Sequence, residues 1–266
     1  MIRVLQIGMG NVAGGLEAFV MNYYRVLVHM DVRFDFVCMY DKIAYEDEIK
    51  RLGGRVFYVP NVKKHYRGYI SGLKKILKEE NYQAVHVNML SAANIVPLRV
   101  AHQAGIKKII AHSHSSSCPG LIRKLMDNVN RPFIGRYATD MAACGELAGR
   151  WLFGEKAYDN GQVAVINNAI AAERFLFSAD DRESLRKELG WENKTVIGHV
   201  GRFDIPKNHD RMVDIIQQLS REKKDVVLCL VGPKEGLYEQ IKGKTEKAGL
   251  EKHVYFAGRQ ENISRY

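Results

Sequence analysis

Short apolar runs separated by longer amphipathic stretches repeat along the chain. VLQI within Ile2–Ile7 and FDFVCMY within Arg33–Tyr40 are rich in β-branched and aromatic side chains, the content of strands buried on both faces. Similar runs predict strands at Arg55–Val59, Ala84–Met89, Lys108–His112, Thr139–Ala143 and Val163–Ile166. Helical spacing fills the intervals, for example at Leu16–His29 and Tyr69–Glu80. Strand alternating with helix is the pattern of βα units around a parallel sheet.

A second series starts after Asn167-Asn168-Ala169-Ile170. It reads helix Asp181–Leu189, strand Thr195–Val200, helix His209–Ser220, strand Val226–Val231, helix Gly236–Ala248 and strand Val254–Phe256. The fold class is therefore α/β, with two Rossmann-like domains built on parallel sheets, residues 1–170 and 171–266. Ligands of open α/β sheets sit beyond the carboxyl ends of the strands. Two such domains facing each other would gather the motifs at a cleft.

Composition narrows the class. At 266 residues the chain is long enough for two domains, and 46% hydrophobic with 26% charged residues is a globular balance. No stretch approaches the roughly 20 apolar residues of a membrane span. The opening MIRVLQIG is too brief for the apolar core of a signal peptide, so a cytoplasmic location is expected. Cys38, Cys118, Cys144 and Cys229 have no metal-ligand spacing and read as reduced thiols, with no structural zinc. The formal charge of +10 calls for an anionic partner: nucleic acid, a phosphate-bearing substrate or an acidic membrane face. Nucleic acid is the weakest of the three, because no arginine-rich arm or basic stretch interleaved with aromatics occurs.

Three segments carry candidate chemistry. After the first strand, Gly8-x-Gly10-x-x-Ala13 matches a dinucleotide fingerprint, with Asp41 as a ribose acid at a longer interval than usual. The same loop also reads as Gly14-Gly15-x-Glu17, two glycines that bring backbone amides and a helix N-terminus to a ligand phosphate. Glycines that only close a strand-to-helix turn are the third reading. Next, Ala111-His112-Ser113-His114-Ser115 ends a strand with both histidines on one side. His112 suits a hydrogen-bonded core histidine, whereas His114, followed by a serine-rich loop, suits contact with a sugar hydroxyl or developing charge. Finally, Gly201-Arg202-Phe203-Asp204-Ile205-Pro206-Lys207-Asn208 puts an Arg and a Lys across a loop between strand end and helix start. That pair can hold a diphosphate and neutralise a leaving group.

Together these segments resemble the retaining glycosyltransferases of family 4, which have the GT-B fold of two facing Rossmann-like domains. The resemblance spans the chain. Besides the segments above, it rests on Cys144-Gly145 with Leu152-Phe153-Gly154, on Ile166-Asn167-Asn168-Ala169-Ile170, on Leu230-Val231-Gly232 and on Val254-Tyr255-Phe256-Ala257-Gly258-Arg259. Bacterial exopolysaccharide and capsule transferases look most similar. The resemblance implies an acceptor-side domain at 1–170 and a donor domain at 171–266. Gly14 and Gly15 would meet the donor diphosphate, with the loop to Glu17 facing the acceptor. His114 would lie beside the transferred sugar, Gly201, Arg202 and Lys207 at the donor phosphates, and Arg259 at the nucleotide base.

It further implies a nucleotide-sugar donor, UDP-linked by similarity, no cofactor and no obligatory metal. Transfer would proceed with retention, the donor phosphate helping to deprotonate the acceptor. The acceptor would be a saccharide or lipid-linked saccharide, with peripheral contact to an anionic membrane and no nucleic acid. The family also places two glutamates seven residues apart beyond Gly258-Arg259. The chain reaches Tyr266 without them, and Glu261 sits too early to stand in, so the second domain is expected to be incomplete. Two alternatives stay open: an NAD(P)-dependent oxidoreductase, and a non-catalytic remnant that binds nucleotide or lipid.

Overall fold

The computed structural model describes residues 1–260 and 262–266, so Glu261 lies outside the described residues. Packing separates two units, Met1–Ile170 and Ala171–Tyr266. The first runs β1 (Ile2–Ile7), α1 (Gly15–Leu27), β2 (Val32–Cys38), α2 (Glu46–Arg51), β3 (Val56–Tyr58), α3 (Tyr66–Glu79) and β4 (Ala84–Met89). It continues with α4 (Val96–Gln103), β5 (Lys108–Ser113), α5 (Leu121–Asn130), α6 (Ile134–Tyr137), β6 (Asp140–Ala143), α7 (Glu146–Phe153), α8 (Glu155–Asp159) and β7 (Val163–Val165). The second contains α9 (Ala179–Leu189), β8 (Thr195–Val200), α10 (His209–Glu222), β9 (Val226–Val231), α11 (Tyr238–Lys247) and β10 (Val254–Gly258).

All strand pairs are parallel. The first sheet has the order β3-β2-β1-β4-β5-β6-β7, so its winding reverses between β1 and β4, the place where such sheets bind ligands. On one face Leu5, Val85, Val87, Ile109 and Ala111 pack with Tyr69, Leu73 and Leu98 from α3 and α4. On the other, α1 presses Leu16, Phe19, Val20 and Tyr24 against Phe34, Phe36 and Cys38. Strand alternation puts Gln6, His86, Asn88 and His112 on that second face, and the register pairs Gln6 with His86 and Asn88 with His112. A row of polar side chains therefore crosses the sheet just beyond the apolar cluster.

The second unit holds a three-stranded sheet, β10-β9-β8. All six residues of β9 are buried, and Leu228 and Leu230 pack with Phe203, Val213, Ile216, Tyr238 and Val254. β8 is an edge strand among the described residues, with Ile197 and Val200 exposed. Such an edge weakens a sheet unless it is paired or covered.

Boundaries differ from the sequence reading where side chains intervene. β2 stops at Cys38, because the Tyr40 N–H turns back to the Cys38 thiol at 3.4 Å. α3 starts at Tyr66, three residues early, because His65 Nδ1 caps it by accepting from the Gly68 N–H at 2.9 Å. α11 starts at Tyr238, since Gly236 adopts φ +61° in the preceding turn.

Candidate active site

At the β1–β4 reversal the chain passes very close to its neighbour. Gly8 has φ +116°, and a Cβ there would lie 2.1 Å from the Asn88 carbonyl oxygen. Only glycine fits. The loop then folds around Glu17, in the first turn of α1. Its carboxylate accepts from the Gly10 N–H at 2.8 Å and the Gly14 N–H at 3.1 Å, and the residue is 9% exposed. Glu17, at the end of the loop expected to face the acceptor, braces that loop from within. Gly15 is exposed, and no atom lies within 4 Å of where its Cβ would be. Helical bonding begins at Ala18 N–H to Gly14 O, which leaves the first-turn amides of Gly15 and Leu16 aimed outward.

This geometry answers the dinucleotide reading. That fingerprint needs the Gly10 region to cradle a pyrophosphate at the start of a helix. Here a carboxylate already occupies the Gly10 amide, and the helix starts at Gly15. A pyrophosphate at the Gly10 amide would have to displace that carboxylate.

The polar row forms a directed hydrogen-bond chain. Asn88 Nδ2 donates to Gln6 Oε1 at 3.0 Å, which turns Asn88 Oδ1 toward His114 Nε2 at 2.9 Å. Gln6 Nε2 faces His86 Nδ1 at 3.4 Å, and His86 Nε2 faces His112 Nδ1 at 2.9 Å. The amide orientations thus assign a proton to Nε2 of all three histidines. His114 keeps the Nδ1 lone pair, and the buried His112 Nε2 has no partner. The rings of His112 and His114 stack at 4.1 Å, with Phe19 edge-on at 4.8 and 4.9 Å. Burial pushes His86 down to about 3, His112 to about 4 and His114 to about 2; repulsion among the rings adds to the shifts of His86 and His114. All three are neutral at pH 7. Beyond them, a cleft of about 380 Å³ is lined by Ser116, Ser117, Lys124, Asn128, Arg131 and Trp151.

In the second unit, each strand delivers a glycine and a cation at its carboxyl end. A Cβ on Gly232 would lie 2.0 Å from the Gly201 carbonyl, so these two loops run in contact. The Lys207 stem folds over Gly201, its Cδ 3.3 Å from where a Cβ would sit. Arg202 pairs with Asp204 at 3.0 Å, both well exposed. Gly258 adopts φ +71° and presents Arg259 to solvent. Lys234 follows Gly232-Pro233. Among the described residues Lys207, Lys234 and Arg259 have no carboxylate partner. Burial first, and then the Lys207 charge, lower the pKa of the His199 imidazole behind that loop.

Comparison with known proteins agrees with both halves. A family model described as Glycosyltransferase Family 4 matches residues 13–174, and one described as Glycosyl transferases group 1 matches 181–266. The chain is 32% identical over 271 residues to the glycosyltransferase EpsF of Bacillus subtilis (strain 168), covering 98% of this chain and 69% of that protein. The chain belongs to glycosyltransferase family 4. Its fold is shared with the HepE protein of Anabaena, solved in complex with UDP-glucose, at TM-score 0.80 and 19% identity over 100% of this chain and 71% of that one. A glycosyltransferase from Rickettsia africae gives 0.76 at 16% identity, over 99% and 70%. A UDP-GlcNAc 2-epimerase from Neisseria meningitidis gives 0.64 at 14%, over 98% and 73%. Because epimerases share this α/β GT-B fold, the fold alone does not separate the activities; the family models do.

In this family 4 chain the structure adds residues that motif reading missed. Gln6, His86 and Asn88 stand on neighbouring strands, so only the sheet register brings them to His114. Lys234 repeats the glycine-then-cation arrangement of the other two strand ends, a signal present in Gly232-Pro233-Lys234. No helix of the described residues is long and apolar enough to cross a membrane.

Proposed function

We propose that this protein transfers a sugar from a UDP-sugar to a saccharide or lipid-linked saccharide, with retention, in polysaccharide biosynthesis. The observation that carries the reading is the set of exposed cations Arg202, Lys207, Lys234 and Arg259 on three successive strand-end loops. Glycines there let backbone amides approach, and the cations neutralise the diphosphate as it leaves. Residues 171–266 form the donor domain in this account and residues 1–170 the acceptor side. Arg259 is assigned to the nucleotide base, and the first-turn amides of Gly15 and Leu16 to a donor phosphate; the Gly14 amide is taken by Glu17. Side-chain cations supply the charge compensation, with no cofactor and no obligatory metal.

His114 accepts a sugar hydroxyl through Nδ1, because Nε2 is committed to Asn88. A ring with its pKa near 2 is a poor proton acceptor for catalysis, so His114 orients rather than deprotonates. The base is the leaving phosphate oxygen: the C1–O bond to phosphate breaks, the acceptor oxygen bonds C1 on the same face, and its proton passes to that phosphate oxygen. Same-face attack retains configuration. Without acceptor, slow hydrolysis of UDP-sugars watched by proton NMR tests this. Sugar released first as the donor's own anomer is expected, and the opposite anomer refutes retention. The complexes of HepE with UDP and with UDP-glucose support a uridine nucleotide. A cytoplasmic, peripheral position at an anionic membrane accords with the charge of +10.

A further inference from the structure

An amphipathic helix ordinarily turns its apolar stripe to the core. α5 does the reverse. Its one buried residue is Asp127, whose carboxylate accepts from the Ala92 N–H at 2.6 Å and pairs with Arg131. Leu121, Ile122 and Leu125 are 89%, 79% and 66% exposed, and Met126, Val129 and the nearby Phe133 are exposed with them. At 100° per residue the helical five cover an arc of about 140°, on the side away from Asp127.

The charges around this arc have one sign. Asp127 is the only carboxylate between residues 114 and 139, and it is buried and neutralised by Arg131. Arg123, Lys124 and Arg136 are exposed and have no carboxylate partner among the described residues. A second copy of this chain docking about a two-fold axis would bring like patches together and oppose these cations. An anionic lipid surface accepts the apolar side chains and compensates the charge at once.

We propose that α5 lies in the plane of an anionic membrane, its Leu121–Val129 face among the acyl chains and Arg123, Lys124 and Arg136 at the headgroups. The helix follows the serine loop after His114; Asn128 and Arg131 on its other side line the cleft of about 380 Å³, and Lys124 stands at the rim between that cleft and the headgroups. Docking therefore opens that cleft at the lipid surface, where the sugar end of a lipid-linked acceptor would lie. This last step rests on the acceptor reading above; the docking itself does not.

Vesicle sedimentation with the full chain tests the docking. Phosphatidylcholine vesicles containing phosphatidylglycerol should bind it at least about tenfold more tightly than phosphatidylcholine alone, and salt should weaken the binding. Ile122→Ser with Leu125→Ser should reduce that binding about tenfold or more, while circular dichroism and UDP affinity stay unchanged, since both side chains are exposed. Leu125→Trp should give an emission that shifts to the blue when vesicles are added. Equal vesicle binding by wild type and the double variant overturns the proposal. So does binding indifferent to lipid charge, or a dimer in sedimentation equilibrium that the double variant dissolves without any vesicle binding. Loss of UDP binding in the wild type would refute the transferase reading and leave the vesicle result standing by itself.

Discussion

Beside α1, Gln6, His86, Asn88, His112 and His114 are joined by hydrogen bonds beneath Phe19, with His112 Nε2 left unpartnered, in a site with no net charge at pH 7. At the ends of β8, β9 and β10, four cations stand in solvent on glycine loops, and Asp204 is paired with one of them. The first region gains definition from enclosure: hydrogen bonds fix the amide and ring orientations, and charge is excluded. The second gains strength from exposure, since cations free of protein carboxylates keep their field for an incoming anion. Substitutions should accordingly damage stability in the first region and ligand binding in the second.

The largest expected effect lies in the second. Arg202→Ala and Lys207→Ala should each slow sugar transfer by about 10²–10³-fold, as for removal of a preorganised charge partner, with melting temperatures near wild type. A drop in melting temperature that matches the loss of rate would make the loop structural and erase the contrast. Next comes Gly8→Ala, which forces a Cβ against the Asn88 carbonyl at positive φ. It should cost about 3 kcal/mol in denaturant unfolding. Gly15→Ala, a few residues away with open space around it, is the control: unfolding should change by less than about 0.5 kcal/mol.

Asn88→Leu should cost about 2 kcal/mol, because it strands Gln6 Oε1 and His114 Nε2. It also frees the His114 tautomer, which nitrogen-15 NMR of the imidazole would register as a change from the Nε2–H form. The smallest and most gradual effect is on pH. Folded-state values of about 3, 4 and 2 for His86, His112 and His114 lie below the ordinary 6.5. The unfolded chain therefore binds protons first as pH falls. Their stabilisation is complete above pH 6.5 and is lost progressively as pH falls from there through the folded values of about 4, 3 and 2. Each proton taken up on unfolding steepens the loss by about 1.4 kcal/mol per pH unit. Melts at pH 7 and pH 5 should show the first unit losing more than the second; equal losses would put the neutral histidines in doubt.

Legibility in the sequence followed the same division. The βα alternation, the glycine loops and the Arg202/Lys207 pair are local patterns, readable wherever a strand hands over to a helix. The partners of His114 were not readable, because Gln6, His86 and Asn88 lie tens of residues away and meet it only through register. Glu17 was legible as a motif member, but its two bonds to Gly10 and Gly14 are set by the path of the loop. The outward face of α5 was hidden too, since an amphipathic stripe does not say which side the fold will cover.

In the proposed function the glycine-and-cation loops of the second unit bind a uridine diphosphate. Calorimetric titration of the full chain with UDP and with NADH, repeated for Arg202→Ala and Lys207→Ala, tests it most directly. UDP should bind, each substitution should weaken that binding about tenfold or more, and NADH should give no heat. UDP binding untouched by both substitutions, or NADH binding in place of UDP, would contradict it.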